Sequence, residues 1–406
     1  MENILLFVKQ KKAFFFALLV GLIVLDTGFY YVFFYKNSFS NRTHANTQNL
    51  SIVPLALEAQ ASTLTQTPPP TEEKPTVEPK KEEVAEKPVI KPISYGEPFQ
   101  WGATIRPSGL VGFNKDNWQL QLDKAKELGI GWARLNWDYA DVAPFRRNAA
   151  IINQAKDNGI QVVLVIEHNP RDGVGDMYGD GLADGKKIGS AFGGQIDYYQ
   201  LANEGGAQAL KVPTLMGIEL SDYDEVEYAR VRDYIRGVSE GLSQTDPGSI
   251  KIVNTSWTHV GFIKKLVNDD VDFNMIGIDW YDWMGYFEKR RVNGISLYDK
   301  LRSFGKPLTF MEVNITPTSE EPGSSVKTVI DEGHQSEFIM HTARWAWQNR
   351  DYVKGFYVLE LIDNVNNNNK NKEYYGIIRG EKEDGKGVIG KPREAFYALK
   401  DYIAGL

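Results

Sequence analysis

Residues 250–281 read IKIVNTSWTHVGFIKKLVNDDVDFNMIGIDWY. A β-branched run, Ile250–Thr255, gives way to an amphipathic segment, Phe262–Val267, and then to a second apolar run, Phe273–Trp280. Strand, helix, strand in this order is the repeating unit of an α/β fold. The same alternation extends in both directions. Strand candidates Phe99–Thr104, Gly131–Asn136, Gln161–Glu167 and Asp197–Ala202 precede the unit, and Pro307–Val313 and Gly355–Leu361 follow it. Helical candidates include Trp118–Leu128, Tyr223–Leu242, Ser296–Phe304 and Gln335–Asn349, with Lys391–Ala404 as a final helix. Eight strands alternating with helices over roughly 300 residues predict a (β/α)8 TIM barrel. One unit reads differently. His168–Gln195 is rich in Gly and Asp, so the third helix is expected to be degraded or replaced by a loop. The competing fold is a doubly wound open sheet. It needs a Gly-rich phosphate turn after the first strand, and Gly102-Ala103-Thr104-Ile105-Arg106 is not one.

The chain before the barrel is of another kind. Ala13–Tyr35 is apolar or aromatic except for Asp26, Thr27 and two glycines, about the length a helix needs to cross a bilayer. Lys9, Lys11 and Lys12 precede it, which favours a cytoplasmic N-terminus. Residues 1–36 are therefore expected to be a cytoplasmic tip and transmembrane signal anchor. The alternative is a cleaved signal peptide with secretion of the rest, Ala13–Leu25 serving as its apolar core. Residues 37–97 carry eight prolines, with Glu and Lys interleaved among most of them, and no Trp. Such a composition cannot bury enough apolar surface to fold alone and predicts a disordered, partly extended linker. Residues 98–406 are then the folded domain, placed outside the cytoplasm.

The composition excludes several classes of function. With no Cys in 406 residues, disulfides, thiolate metal sites and cysteine nucleophiles are all absent. A net charge of -7 argues against a nucleic-acid partner. Only five histidines exist and the first strand carries no His-x-His pair, so neither a metal centre nor a cofactor is expected. Asp172, Asp176, Asp180 and Asp184 follow a four-residue spacing that is not the alternating pattern of a calcium loop. Of four Asn-x-Ser/Thr sequons, those at Asn254 and Asn314 fall on strand ends and suit glycans poorly.

In a barrel, reacting side chains sit where the strands end and the βα loops begin. Asn203-Glu204 ends the fourth strand and Glu312 ends the seventh. Leu308, Phe310 and Glu312 share one strand parity. Carboxylates on these two strands can face each other across the barrel mouth, as hydrolysis of a glycosidic bond requires.

These features resemble the retaining glycoside hydrolases of clan A, with barrels of the family 5 and family 39 type. The resemblance spans the chain from about Phe99 to the C-terminus. Arg134 in Ala133-Arg134-Leu135-Asn136 matches the clan's strand-two arginine, and Tyr281 in Asp279-Trp280-Tyr281 matches the tyrosine that contacts the nucleophile. The tail Tyr375-Gly376-Ile377-Ile378, with Lys391-Pro392-Arg393 after it, is similar to the clan's closing hairpin and helix. The resemblance implies a retaining β-glycoside hydrolase that degrades a polysaccharide or oligosaccharide, with Glu204 as acid/base and Glu312 as nucleophile. Their carboxyls are expected about 5–5.5 Å apart. Arg134 and Tyr281 would favour the ionised form of Glu312, and Asn203 would reach the sugar 2-hydroxyl. Where the clan has Trp at the end of strand eight, this chain reads Phe356-Tyr357-Val358-Leu359-Glu360-Leu361-Ile362-Asp363. Glu360 is expected to support the site and is the reserve candidate for Glu204. Trp137, Trp257, Trp280 and Trp283 lie near strand ends and offer flat faces for sugar C–H groups. His168 and His259 follow strands three and five and are candidates for hydroxyl contacts. Two other functions share these residues: a carbohydrate-binding barrel without catalysis, and a transglycosylase that remodels envelope polysaccharide or exopolysaccharide.

All nine Trp lie between Trp101 and Trp347, so the chain's aromatic mass belongs to the last three hundred or so residues. Removing residues 1–97 is accordingly expected to leave a soluble, folded domain with the whole chain's activity. Size-exclusion chromatography and circular dichroism test this. Aggregation of the truncated chain, with the full chain folded in detergent, would move the boundary.

Overall fold

A computed structural model of the chain describes residues 98–106, 117–136, 144–166, 175–318, 329–363, 374–383 and 386–406. The expected anchor and linker lie outside the described residues, as do Trp137 and His168. Among the described residues no helix is long and apolar enough to cross a membrane.

Eight parallel strands close into a barrel in sequence order. They are β1 (Gln100–Thr104), β2 (Trp132–Asn136), β3 (Gln161–Val165), β4 (Tyr198–Gln200), β5 (Ile250–Ser256), β6 (Met275–Tyr281), β7 (Leu308–Asn314) and β8 (Val353–Val358), and β8 pairs back with β1. The helices between them are α1 (Trp118–Leu128), α2 (Pro144–Asp157), α3 (Met177–Phe192), α4 (Glu225–Thr245), α5 (Val260–Asn268), α6 (Leu297–Arg302) and α7 (Glu332–Gln348). A hairpin, β9 (Ile378–Glu383) with β10 (Lys386–Pro392), leads into α8 (Glu394–Ala404).

Strand alternation divides the core in two. Trp132, Val163, Tyr198, Ile252, Met275, Met311 and Tyr357 cluster inside the barrel. Their neighbours along the strands, such as Ala133, Leu164, Tyr199 and Val253, join the larger core beneath the helices. The inner layer is close-packed: a Cβ on Gly102 would lie 2.3 Å from the Tyr357 ring. The barrel is thus plugged by side chains, and only its upper layer is left for polar chemistry.

The third βα unit corrects the sequence reading, because α3 is a full helix of 16 residues. Its glycines looked like helix breakers, each costing roughly 0.5–1 kcal/mol of propensity. Gly181 and Gly185 lie one turn apart on one face, and so do Gly237 and Gly241 on α4. A Cβ on Gly181 would come within 2.3 Å of the Tyr234 carbonyl oxygen, one on Gly185 within 2.3 Å of the Val238 oxygen, and one on Gly237 within 2.2 Å of the Tyr178 oxygen. The two backbones therefore pack in direct contact, and this packing outweighs propensity. Asp176 caps the helix by accepting the Gly179 N–H at 2.9 Å, and Asp184 accepts the Tyr234 hydroxyl at 2.9 Å.

A second correction concerns β7. Phe310 pairs with Ile278, but Glu312 pairs with Asp279, so β7 holds one more residue than β6 over this step. The register on the β8 side shifts likewise between Phe310 and Val313. Leu308 and Phe310 lie in the outer core and Met311 in the inner one. Glu312 therefore faces inward because of a bulge, and not through shared parity with Leu308 and Phe310.

Beyond β8, Asp363 fastens the closing segment. It accepts both Arg393 Nη1 and Nη2 at 2.8 Å, and also the N–H groups of Gly376 and Gly380 at 2.8 and 3.1 Å.

Gly185→Ala is expected to cost at least about 1–3 kcal/mol, the range for overpacking, because its Cβ meets backbone that cannot swing aside. Gly248→Ala, with nothing within 4 Å of the added carbon, serves as the control and should stay near neutral. Urea unfolding of both variants makes the comparison. Equal midpoints would refute the backbone-contact account of α3 and α4.

Candidate active site

The strands end in a polar layer built around Arg134. Its side chain is fully buried at the middle of β2, and its guanidinium spans the barrel mouth. Nη1 lies 2.8 Å from Glu312 Oε1 on β7. Nη2 donates to Asn203 Oδ1 at 2.9 Å, and Nε donates to Gln200 Oε1 on β4 at 3.0 Å. The second oxygen of Glu312 accepts the Tyr281 hydroxyl from β6 at 2.6 Å. Each Glu312 oxygen is thus held by a donor from a different strand, which fixes the plane of the carboxylate.

Glu204 follows β4 with a left-handed backbone, φ 45° and ψ 41°. For a residue with a side chain this conformation costs of order 1–3 kcal/mol and persists only where the surroundings enforce it. Asn254 on β5 supplies one restraint by accepting the Glu204 N–H at 2.7 Å. The amide of Asn254 in turn donates to Asp279 Oδ1 on β6 at 2.8 Å. Gly205 and Gly206 follow, and a Cβ on Gly206 would lie 2.8 Å from Thr255 Oγ1. The turn after Glu204 therefore has no room for a side chain.

The electrostatics tie both glutamates to one locus. Asp279 is wholly buried, and burial first, then the charges of Glu312 and Glu204, push its carboxyl well above the usual range. Burial likewise raises the Tyr281 phenol, with Glu312, Asp279, Tyr375 and Glu204 adding to it, so Tyr281 remains a donor to Glu312. Glu204 and Glu312 thus act on the same two side chains.

The remaining sequence candidates divide. Trp283 is 46% exposed on the turn after β6 and sits 5.5 Å, centroid to centroid, from the half-buried Trp257 after β5. His259 is buried against Gly206 and Gly217, on the Glu204 side. Trp280 is a correction. It is fully buried, packs edge-on against Phe287 and donates its Nε1–H to the Gly285 carbonyl at 2.7 Å. Lying between inward-facing Asp279 and Tyr281, it points to the helices and offers no sugar platform. Glu360 is buried beyond β8, paired with Arg106 from the end of β1. The peptide bond preceding Glu360 is cis. Asn254 and Asn314 are fully buried and hydrogen-bonded, out of reach of glycan attachment. Among the described residues, no group of three or more His, Asp or Glu could hold a metal ion.

Sequence reasoning missed Gln200, Asn254, Asp279 and Arg106. Asp279 carried a readable signal, since it shares strand parity with Tyr281 and interrupts an apolar run.

No family model matches the chain, and no curated protein does. Solved structures do match. A family 1 β-glucosidase from Thermotoga maritima aligns over 77% of this chain and 98% of its own, with a TM-score of 0.56 and 11% identity. The same organism's β-glucosidase in complex with noeuromycin gives 76%, 98%, 0.56 and 11%, and with azafagomine 76%, 98%, 0.55 and 11%. At this identity the likeness establishes the (β/α)8 fold over the domain.

The raised Asp279 carboxyl makes stability depend on pH. Its proton is held more tightly in the folded than in the unfolded chain. The resulting stabilisation is complete below the ordinary value of 3.8 and is lost as the pH rises towards the folded-state value. An uncharged Asn avoids that loss. Asp279→Asn is therefore expected to melt above the parent at neutral pH, by a margin that narrows as the pH falls towards 3.8. Thermal melts across this range test it, and a margin independent of pH would contradict it.

Proposed function

We propose that the domain is a clan A retaining β-glycoside hydrolase that cleaves a polysaccharide or oligosaccharide through a glycosyl-enzyme. The observation that carries this reading is the pinning of Glu312. Arg134 and Tyr281 each hold one of its oxygens, at 2.8 and 2.6 Å, beside the network that restrains Glu204. A carboxylate fixed by two donors, with a second carboxyl nearby, is the equipment of a double displacement.

In the first step a Glu312 oxygen attacks the anomeric carbon while Glu204 gives its proton to the departing glycosidic oxygen, and the C–O bond breaks. In the second step Glu204 takes a proton from water. The water oxygen attacks the same carbon, and Glu312 leaves as a carboxylate. Arg134 and Tyr281 stabilise the charge that returns to Glu312. Asn203 presents its oxygen to Arg134 and Gln200, at 2.9 and 3.0 Å, which leaves its Nδ2 as the donor for a sugar 2-hydroxyl. Trp283 and Trp257 provide a face for sugar C–H groups. The reading also places the domain outside the cytoplasm, tethered by a transmembrane anchor at Ala13–Tyr35. The support for this is the apolar run and the basic residues before it.

The two glutamates should leave different kinetic signatures. Glu312→Ala forms no glycosyl-enzyme and should lose activity on every substrate, and azide should restore turnover with inverted configuration. Glu204→Ala should lose about 10²–10⁴-fold on substrates with poor leaving groups while keeping its first step on activated aryl β-glycosides. Azide should then give the retained product. Stereochemical analysis of the azide products decides. Exchanged configurations would swap the two roles, and undiminished turnover in both variants would move the catalytic pair elsewhere.

A further inference from the structure

The mechanism above gives Asp279 no task, yet a fully buried carboxyl in the barrel mouth costs stability at neutral pH. One of its oxygens accepts the Asn254 amide at 2.8 Å, and the other has no hydrogen-bond partner among the described residues. Asn254 is itself fully buried and engaged at both ends of its amide. A continuous chain therefore runs from the Asp279 carboxyl on β6, through Asn254 on β5, to the N–H of Glu204 after β4. The direction of this chain is set by chemistry. A main-chain N–H can only donate, so Asn254 turns its oxygen to Glu204 and its nitrogen to β6. The group at position 279 must then accept. Apolar neighbours there would leave the Asn254 nitrogen unpaired and remove the reason for its orientation.

We propose that Asp279 is a positioning residue for the acid/base glutamate: through Asn254 it holds the Glu204 N–H, and with it the left-handed turn that aims the Glu204 carboxyl into the barrel mouth. This rests on the reading of Glu204 as acid/base. The groups that face Asp279 are Glu312 from β7, Glu204 from the end of β4, Arg134 from β2, Asn254 from β5 and Tyr281 on its own strand. Two of them are carboxylates, and the one guanidinium is already engaged with Glu312 at 2.8 Å. Asp279 accordingly works as a neutral acid. It accepts through its carbonyl oxygen and adds no negative charge beside Glu312. An amide at position 279 accepts in the same way, so Asn can stand in for Asp there and Ala cannot.

The test compares the parent with Asp279→Asn, Asp279→Ala and Asn254→Ala, using hydrogen exchange of the segment that contains Glu204 and hydrolysis of aryl β-glycosides with good and poor leaving groups. Asp279→Ala should let the Glu204 amide exchange about tenfold faster, the protection a net hydrogen bond supplies. It should also lose about 100-fold on the poor leaving group, the lower end of what general acid catalysis contributes, while staying within a few-fold on the good one. Asn254→Ala breaks the same chain from its other end and should show both signatures, which covers the case in which Asp279→Ala does not fold. Asp279→Asn should match the parent in exchange and in leaving-group dependence. A purely structural role would lower both substrates alike and overturns the proposal, as does an Asp279→Asn variant that behaves like Asp279→Ala. If the parent cleaves no β-glycoside, the glycosidase reading fails while the exchange arm still decides the point: unchanged Glu204 exchange in Asp279→Ala overturns the proposal, and faster exchange supports it.

Discussion

A guanidinium with no exposure to water has to be paired on every side, and the upper layer of this barrel is arranged around meeting that requirement. Arg134 reaches Glu312, Asn203 and Gln200, and so ties β2 to β4 and β7 across the barrel mouth. Removing a partner from a buried charge costs far more than the pair contributes in net terms. The arrangement of these side chains is therefore tightly specified. Gln200 is held in turn by giving its amide hydrogens to Ala202 O and Asn203 Oδ1, at 2.9 and 3.0 Å. Asn203 consequently receives two donors on one oxygen, and its orientation is not free. The residues flanking Glu204 and Glu312 are thus fixed before any ligand arrives, which is the preorganisation an electrostatic site needs.

The neutral part of the network does a different task. Burial and the neighbouring glutamates push the Asp279 carboxyl towards its neutral form, and with the uncharged Asn254 it connects the strands on the far side of Glu204. The charged half, Arg134 with Glu312, sets the field. The uncharged half sets the backbone. Separating the two keeps the density of negative charge low where Glu204, Glu312 and Asp279 converge. Had Asp279 been ionised, it would compete with Glu312 for one guanidinium, and burial penalises that state before any neighbour does.

Much of this was legible in the sequence, though not always for the right reason. Eight strands were read within a few residues of where they lie, because parallel strands covered on both sides leave long apolar runs. Glu204 and Glu312 were found from their places at strand ends, Arg134 and Tyr281 from the family resemblance, and the structure brings them together. Glu312 was assigned its face by counting parity from Leu308, whereas a bulge at Phe310–Met311 turns it inward. Period-two counting has no means of seeing an extra residue. The same counting, applied from Tyr281, would have sent Trp280 outward and Asp279 inward. The helix over residues 177–192 was missed because glycine lowers local propensity, while its benefit here, backbone contact with α4, is a tertiary property. Asn254 and Gln200 were passed over because an amide in a strand gives no sign of which groups it will meet.

The two sides of the mouth differ in a way that bears on what can bind. Beyond β5 and β6, the Trp257–Trp283 pair presents an aromatic surface with one ring 46% exposed. Beyond β8 and β1, Glu360 is buried in an ion pair with Arg106. An aromatic ring face packs against apolar C–H surface. A paired carboxylate and guanidinium select for hydroxyls or a charged substituent at fixed positions, because a group that cannot hydrogen-bond leaves them desolvated. The β8–β1 side is therefore the polar wall of the mouth, and the β5–β6 side its aromatic wall. Since Arg106 is 34% exposed while Glu360 is 1% exposed, a ligand entering from solvent meets the guanidinium first.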